Sequence, residues 1–290
     1  MSLRPNVYCL PEDGDEVVAL LEKHGDGALV LAGGTFIHGL DTRGLLSGVS
    51  AVVDIQKVDL GGVESDGDGL RIGATTRCRT LAADSAVRED PALGAVRDAL
   101  AHLPMQVANA ATVGGAVATA CPFFDLPVAF MALGADVAAR GKAGTRRIPL
   151  AELFTGLFEN ALEEGEFLTE LRLPKAPAGS GSAFAKLAGN ANDLAIVNAG
   201  VQLAVDGSGT CTHARVVIGG GVGATPVRSA SAEQVLVGAR LDDGVLHAAG
   251  EASTKDVEPF SDHRASGGYR RTIAGVLVRR ALERATTRLA

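Results

Sequence analysis

The 290-residue chain is long enough for two domains, and its 47% hydrophobic and 21% charged residues are typical of ordinary globular proteins. A formal net charge of −7 argues against a nucleic acid as the main partner, because that binding depends on Lys and Arg neutralising phosphates. No apolar run reaches the ~20 residues that span a bilayer, and residues 1–5 lead into no signal-like segment, so we expect a cytoplasmic protein.

The first part of the chain alternates between helical and strand-like patterns. We predict a helix over residues 16–24, a strand over 28–32 that stops at Gly33-Gly34, and another strand over 51–55. The alternation continues with a strand over 70–74, a helix over 91–103 with Pro in its first turn, a helix over 125–133, and strands over 136–139 and 166–173. This pattern indicates an α/β layer.

A segment rich in Pro, Gly and Ser, residues 174–182, is the best linker candidate, because Pro and Gly do not continue a strand ladder cheaply. We therefore predict one domain over residues 1–174 and a second over 182–290. In the second, strand-like runs over 195–205 and 215–218, separated by a turn at 206–209, predict an antiparallel hairpin.

The chain finishes with helical patterns over residues 232–236, 244–252 and 269–289. Arginines crowd the polar side of the last one. This basic side is either a solvated face or a docking surface for an acidic partner. Its members are Arg270, Arg271, Arg279, Arg280, Arg284 and Arg288.

The cysteines and histidines match no metal or redox motif. The cysteines lie far apart without a C-x-x-C pair, which favours buried free thiols over disulfides, zinc or iron–sulfur sites. None of the histidines has a ligand-type partner in a recognisable metal motif, so we predict no metal site. The cysteines are Cys9, Cys78, Cys121 and Cys211.

Two segments with paired glycines are chemically suggestive. In the first glycine segment, residues 31–37, a buried strand ends at Gly33-Gly34 and we expect a short helix to follow. The second glycine segment, residues 111–119, places Gly114-Gly115 among hydroxyl and small side chains. Glycine lets backbone N–H groups approach an anion closely, although either pair alone can be a simple tight turn.

Together the two glycine segments can hold a pyrophosphate between two sets of neutral backbone donors, because neither contains Lys or Arg. The hydroxyls of Thr35, Thr112 and Thr119 would add to these donors, and a dinucleotide cofactor fits the arrangement. The G-x-G-x-x-G and G-x-x-x-x-G-K-[ST] patterns are absent, which disfavours a Rossmann nicotinamide site and a P-loop. A further glycine run at residues 219–223 is interpreted as a strand-end turn.

These segments resemble the FAD-binding medium subunit of the molybdenum hydroxylases, the group of carbon monoxide, xanthine and nicotine dehydrogenases. The resemblance covers nearly the whole chain, and its motifs occur in the family's order: Ala32-Gly33-Gly34-Thr35, Thr112-Val113-Gly114-Gly115, Asp125, Lys186, Asn192-Asp193-Leu194-Ala195, Arg264-Ala265-Ser266 and Tyr269-Arg270-Arg271. It implies an α+β protein, with a two-part FAD-binding domain of the vanillyl-alcohol-oxidase (PCMH) type. A C-terminal domain of antiparallel sheet plus helices would follow, with the flavin between the two domains.

The resemblance also implies which residues bind FAD and that none is catalytic. Asp125 and Thr119 would bind polar parts of FAD, and Leu168 and Lys186 would lie near the isoalloxazine, where a lysine places positive charge opposite the charge that develops on reduction. From the residues alone, Lys186 can also be a surface residue on an edge strand and Asp125 a helix cap. The pyrophosphate would be held by Ala32, Gly33, Gly34, Thr35, Phe36, Ile37, Thr112, Val113, Gly114 and Gly115.

One segment, Cys121-Pro122-Phe123-Phe124, departs from many relatives, which carry smaller or more polar residues there. This departure leaves the contacts to the adenosine side open. Cys121 itself is expected to be buried, the commonest state of a free cysteine.

The implied partners are a large subunit with a molybdenum cofactor and a small subunit with two [2Fe-2S] clusters, in a dimer of heterotrimers. Electrons would pass from the clusters to FAD and then to an external acceptor, and the lack of clustered cysteines here fits clusters on another polypeptide. One alternative is a self-sufficient FAD-dependent oxidase or reductase, for which the part after the linker is small. Another is a scaffold without flavin that only bridges the other subunits.

Overall fold

The computed structural model describes residues 5–289, so residues 1–4 of the signal-segment prediction lie outside the described part. An N-terminal layer alternates strand and helix, as predicted. Its elements are β1 (Val7–Cys9), α1 (Gly14–His24), β2 (Ala28–Leu31), α2 (Thr35–Thr42) and β3 (Ala51–Asp54). The strands form a parallel sheet in the order β1-β3-β2. Helix α1 begins where Asp13 accepts the N–H groups of Asp15 and Glu16, and it buries Val17 and Leu21 in a core shared with Val53 of β3.

The middle part is built around an antiparallel sheet of five strands in the order β4-β5-β10-β6-β7. Its elements are β4 (Val63–Ser65), β5 (Gly69–Gly73), α3 (Cys78–Ala83), α4 (Ser85–Glu89), α5 (Gly94–Leu100), α6 (Met105–Ala110), α7 (Val113–Ala118), α8 (Asp125–Ala132), β6 (Asp136–Gly141), β7 (Gly144–Pro149), α9 (Leu150–Leu153), β8 (Phe154–Gly156), β9 (Glu159–Asn160) and β10 (Phe167–Pro174). Strands β8 and β9 form a separate hairpin. A hydrophobic core joins this sheet to helices α3, α5, α7 and α8.

The helix predicted over residues 91–103 is shorter than expected. A 3₁₀ turn, Pro91–Leu93, comes first, and the α-helix α5 ends at Leu100. The apolar stripe of Leu93, Val96 and Leu100 is nevertheless buried as the pattern predicts.

The C-terminal part is a four-stranded antiparallel sheet packed against helices. Its elements are β11 (Ser180–Leu187), β12 (Val197–Val205), β13 (Cys211–Gly219), β14 (Val227–Arg228), α10 (Ala230–Leu236), α11 (Asp243–Ser253) and α12 (Gly267–Thr286). The sheet order is β11-β12-β13-β14, which confirms the predicted hairpin over β12 and β13. Gly219 ends β13, as the strand-end interpretation predicts.

The linker prediction is wrong for residues 180–182, which open strand β11. Ser182 is fully buried, where its hydroxyl donates to the carbonyl of Ala92 and accepts from the N–H of Ala95, both at 2.8 Å. Only residues 175–179 connect β10 to β11. In the sequence, the small residues 180–182 indicate a linker. In the fold they are needed because strand β11 lies directly against helix α5.

Four of the six arginines along and just beyond α12 pair with carboxylates of this same chain. Arg284 and Arg288 both reach Asp98 on α5, at 3.4 and 2.8 Å. The others are Arg270 with Asp262 and Arg279 with Glu283. Much of the basic face therefore holds parts of the chain together, and Arg284 and Arg288 tie the last helix to the middle part of the fold.

The cysteines are free, with Cys78, Cys121 and Cys211 buried and Cys9 half-buried. Burial raises the pKa of the Cys78 thiol to about 12. Within residues 5–289, no three His, Cys, Asp or Glu side chains are grouped to share a metal ion. No helix in that range is both long and apolar enough to cross a membrane.

Candidate functional site

A cavity of about 390 Å³ lies where the N-terminal layer, the second glycine segment and strand β11 meet. This volume falls within the range of roughly 300–1,000 Å³ that is usual for small-molecule sites. The structure brings these predicted site residues to its wall: Ala32, Gly33, Gly34, Thr35, Phe36, Ile37, Thr112, Gly114, Gly115, Thr119, Asp125, Leu168 and Lys186. Val113 is the exception, because its side chain is fully buried in the core behind the wall.

The first glycine segment leaves backbone donors open toward the cavity. Gly34 precedes helix α2 with φ of 67°, a conformation that glycine adopts without strain, and it provides no side-chain cap. The N–H groups in the first turn of a helix have no partner within the helix, so those of Thr35, Phe36 and Ile37 can face a ligand. This segment therefore matches the predicted set of neutral donors.

Glycine is also required by the close approach of the two segments. A Cβ on Gly33 would overlap the carbonyl group of Ala110 and crowd the Cα of Ala111 at 3.0 Å. These are backbone atoms, which cannot move aside as a flexible side chain can. The two glycine segments are thus in direct contact along one wall of the cavity.

The second glycine segment differs from the expectation, because it forms the short helix α7 and its first N–H groups already have partners. Val113 donates to the carbonyl of Thr76 at 2.9 Å, and Gly114 donates to that of Ala74 at 2.8 Å. Gly115 donates to the Thr112 hydroxyl at 3.2 Å. This segment therefore contributes close backbone approach and threonine hydroxyls more than free N–H donors.

In the second glycine segment, Gly114 and Thr119 have identifiable packing roles. A Cβ on Gly114 would lie 2.7 Å from the Cβ of Ala74, so only glycine lets α7 approach strand β5 this closely. The Thr119 hydroxyl donates to the carbonyl of Gly115 at 2.6 Å and closes the end of α7. Both features shape the wall that faces the cavity.

A buried ion pair also lines the cavity. Lys186 Nζ and Asp125 Oδ2 are 2.7 Å apart, and both side chains are only 5% exposed. Asn198 Nδ2 donates to Asp125 Oδ1 at 2.8 Å, so both carboxylate oxygens are engaged. Lys186 does lie on the edge strand β11, but the alternative of a surface residue is excluded because its side chain is buried. Asp125 is the first residue of α8 and does not cap it, since Phe124 holds that position.

The comparisons with known proteins show the family of this chain. The family described as "FAD binding domain in molybdopterin dehydrogenase" matches residues 2–176, and the family described as "CO dehydrogenase flavoprotein C-terminal domain" matches residues 182–285. The chain belongs to the FAD-binding medium subunits of the molybdenum hydroxylases. Its match to both families confirms the predicted order of a FAD-binding domain and a C-terminal domain of antiparallel sheet plus helices.

Individual relatives agree with this family assignment. The carbon monoxide dehydrogenase medium chain of Afipia carboxidovorans is 34% identical over 284 residues, covering 97% of this chain and 96% of that one. The 6-hydroxypseudooxynicotine dehydrogenase complex subunit alpha of Paenarthrobacter nicotinovorans is 32% identical, covering 97% and 94%. In a solved structure of carbon monoxide dehydrogenase from Hydrogenophaga pseudoflava, a chain with 31% identity superimposes with a TM-score of 0.94 over 100% of both chains.

The residues of this medium subunit fit FAD. The open first turn of α2 suits an anionic group, while the rest of the wall is mainly apolar and suits a ring system. The close contact at Gly33 keeps the two glycine segments near enough to act on one pyrophosphate. As a subunit of this family, the chain is part of an oxidoreductase.

His102 lines the cavity and was missed by the sequence reasoning, which looked for histidines at metal-ligand spacings. Its burial lowers its pKa below the usual value, with Lys186 acting in the same direction and Asp125 opposing it. Its ring lies 6.0 Å from that of Phe184. In the sequence, His102 is marked only by its position after helix α5, and that position does not indicate a cofactor site.

The departing segment Cys121-Pro122-Phe123-Phe124 connects the cavity to the C-terminal part. Phe123 and Phe124 line the cavity, and the Arg264 guanidinium lies 4.1 Å from the centre of the Phe123 ring. Cys121 is buried as expected, and burial raises the pKa of its thiol to about 11. The terminal motif residue Arg264 therefore supports a wall of the cavity from outside.

Proposed function

We propose that this chain is the FAD-carrying medium subunit of a heterotrimeric molybdenum hydroxylase. It would receive electrons from [2Fe-2S] clusters on a small subunit and pass them to an external acceptor, while a large subunit with the molybdenum cofactor oxidises the substrate. The observation that carries the proposal is that both glycine segments and the Lys186–Asp125 pair line one cavity. When bound there, FAD supplies the electron-accepting and electron-donating chemistry.

Within this proposal, the predicted site residues hold different parts of FAD. Residues 32–37 and Thr112, Gly114 and Gly115 face the pyrophosphate, with the open donors of α2 binding it most directly. Leu168 and Lys186 lie beside the isoalloxazine. Asp125 orients Lys186 rather than contacting FAD through a free oxygen, because both of its oxygens are engaged.

The proposed division into domains follows residues 1–174 and 182–290. The two family matches support it, since they end and begin on either side of residues 177–181. The two parts are packed together, because Phe184 and Val217 of the C-terminal sheet belong to the same core as the middle part.

A dimer of heterotrimers is the proposed assembly of the complex. A cytoplasmic location of the protein stays a prediction.

The proposal is tested first by titrating the purified chain with FAD, with FMN and NADH as controls, while flavin fluorescence is followed. In Gly33→Ala the added Cβ meets backbone, so FAD affinity should fall by about tenfold or more, the equivalent of ~1.4 kcal/mol. Gly39→Ala, on the helix that follows Gly33, is the matched control, because a Cβ there meets nothing within 4 Å. Equal affinity of both variants would contradict the placement of the pyrophosphate.

The partner subunits are tested by purifying the tagged chain from cells that express the complete complex. We expect FAD, iron, acid-labile sulfide and molybdenum to copurify with equal amounts of the three subunits. An assembled complex without flavin would identify the chain as a scaffold. Rapid reduction and reoxidation of the isolated FAD-loaded chain by simple donors and oxygen would instead favour the self-sufficient oxidase or reductase.

A further inference from the structure

A hairpin outside the predicted site contacts both glycine segments. Strands β8 and β9 are joined by Leu157 and Phe158 at the tip of this hairpin, which we call the 154–160 hairpin. Both tip residues are about half exposed, at 48% and 52%. Burial therefore does not explain why a large aromatic side chain occupies the tip.

The tip has an unusual backbone. In the part of the chain that the structure describes, Ala120 and Phe158 are the two non-glycine residues with positive φ, at 47° and 60°. The N–H of Phe158 donates to the carbonyl of Ala120 at 3.2 Å, so the two strained residues are bonded to each other. Strained backbone of this kind persists only where the surrounding contacts hold it, and it concentrates at functional sites.

Hydrogen bonds of the hairpin reach the second glycine segment and the residue that follows it. Ala120 directly follows that segment, and the Asn160 side chain donates to the carbonyl of Ala118, the last residue of α7, at 2.7 Å. The side-chain oxygen Oδ1 of Asn160 accepts the N–H of Leu162 at 3.0 Å, which fixes the orientation of the side-chain amide. Two hydrogen bonds therefore join the hairpin to the end of α7.

The ring of Phe158 reaches the first glycine segment. It stacks on Phe36 with centroids 5.9 Å apart and an interplanar angle of 22°. Phe36 in turn meets Phe124 edge to face at 5.7 Å, and both Phe36 and Phe124 line the cavity. The hairpin thus touches the first glycine segment through the Phe158 ring and the second through the Asn160 side chain, while the Phe158 N–H bonds to Ala120 just beyond it.

We propose that Phe158 is a positioning residue that ties the two glycine segments together and slows the release of FAD. This inference rests on the proposed function, since it assumes that the cavity holds FAD. The segments belong to different parts of the fold, the parallel N-terminal layer and the middle part, and a bound pyrophosphate would lie between them. A link across them limits their separation, so the effect appears mainly in the dissociation rate.

The decisive variant is Phe158→Gly, which removes the ring and lets the backbone keep a positive φ without strain. FAD should leave the holo chain about two- to tenfold faster, the equivalent of one lost aromatic pair. The unfolding midpoint of the FAD-free chain should not fall, because the loss of stacking is offset by relief of strain. Release is followed by the recovery of flavin fluorescence after dilution.

Two further variants complete the test on the full chain. Leu157→Ala changes the neighbouring exposed tip residue and should release FAD at the wild-type rate. Phe158→Tyr keeps the ring and should also behave as wild type. Unchanged release from Phe158→Gly would overturn the inference, as would a loss of FAD that is matched by a lower unfolding midpoint. If the wild-type chain and its complex bind no FAD, the proposed function itself fails.

Discussion

Lys186 and Asp125 form a buried ion pair that joins strand β11 to the start of helix α8 across 61 positions of the sequence. Lys186 belongs to the C-terminal sheet, and Asp125 belongs to the middle part of the fold. The position of the lysine charge beside the cavity is therefore set by a contact between the two parts. Changes that alter their packing should also change the electrostatics of the FAD site.

The first prediction concerns stability. Lys186→Met or Asp125→Asn leaves one buried charged group without its partner, so each should lower the free energy of unfolding by about 3–5 kcal/mol. The double variant Lys186→Met with Asp125→Asn leaves no unpaired charge and should lose much less than the sum of the single losses. Urea unfolding of the FAD-free chains measures all of these values. Strictly additive losses would show that the pair contributes no coupling.

A second prediction uses the same pair but measures bound FAD. Reduction adds negative charge to the ring, so Lys186→Met should lower the midpoint potential of bound FAD, and Asp125→Asn should raise it. Each 1.4 kcal/mol of differential interaction corresponds to roughly 30 mV for a two-electron couple. Potentials measured by dye equilibration on FAD-loaded protein decide the sign. Shifts in the same direction would show that structural disturbance outweighs the charge effect.

The fold could be predicted from the sequence where periodicity carries the information. The parallel layer and the β12–β13 hairpin have clear patterns and were found. Helix α7 was not, because two of its six residues are Gly114 and Gly115, which disfavour helix. It forms since Thr112 caps its start and its N–H groups bond to neighbouring backbone, and these tertiary contacts leave no local pattern.

The site shows the same division between local and long-range information. The glycine segments are visible as motifs, and the family resemblance identified Lys186 and Asp125. Their mutual pairing was not predicted, because it depends on how β11 packs beside α8. The stacking of Phe158 on Phe36 was also missed, since a Leu-Phe tip in a short hairpin has no recognisable motif.

A third prediction concerns acid stability through Asp98 on α5. Burial alone would raise its pKa, but hydrogen bonds from Arg288 and from the Phe184 N–H, with the nearby charges, hold the pKa below its usual range. The unfolded chain therefore takes up the proton first as the pH falls. The stability that Asp98 contributes is fully present above about pH 4, the ordinary pKa of Asp, and is lost as the pH falls through the folded value.

The test compares Asp98→Asn with Asp59→Asn, a control at an exposed position. The wild type should lose more unfolding free energy than Asp98→Asn between pH 5 and 2.5, as measured by urea unfolding at each pH. Asp59→Asn should follow the wild-type curve. If the free energy of unfolding falls in parallel with pH for all three proteins, the contacts of Asp98 with Arg284 and Arg288 add nothing to acid stability.

The last prediction concerns His102, whose pKa is lowered by burial beside the cavity. Asp125 and Asp98 favour its charged form, while Lys186 and Arg284 disfavour it. Because the folded pKa lies below the unfolded one, near 6.5, the unfolded state binds the proton first on acidification. The cost to the fold is absent well above pH 6.5 and complete below the folded pKa.

Stability of the FAD-free chain should therefore fall between pH 7.5 and 5, and His102→Gln should lose less over that interval than the wild type. His247→Gln is the control, since His247 is 57% exposed on α11 and does not line the cavity. The pH dependence of FAD release should differ from that of stability. Protonated His102 adds a positive charge beside Lys186 and therefore changes the electrostatics of the cavity itself. If His102→Gln and His247→Gln have the same pH profile, the buried histidine does not govern the acid response in this range.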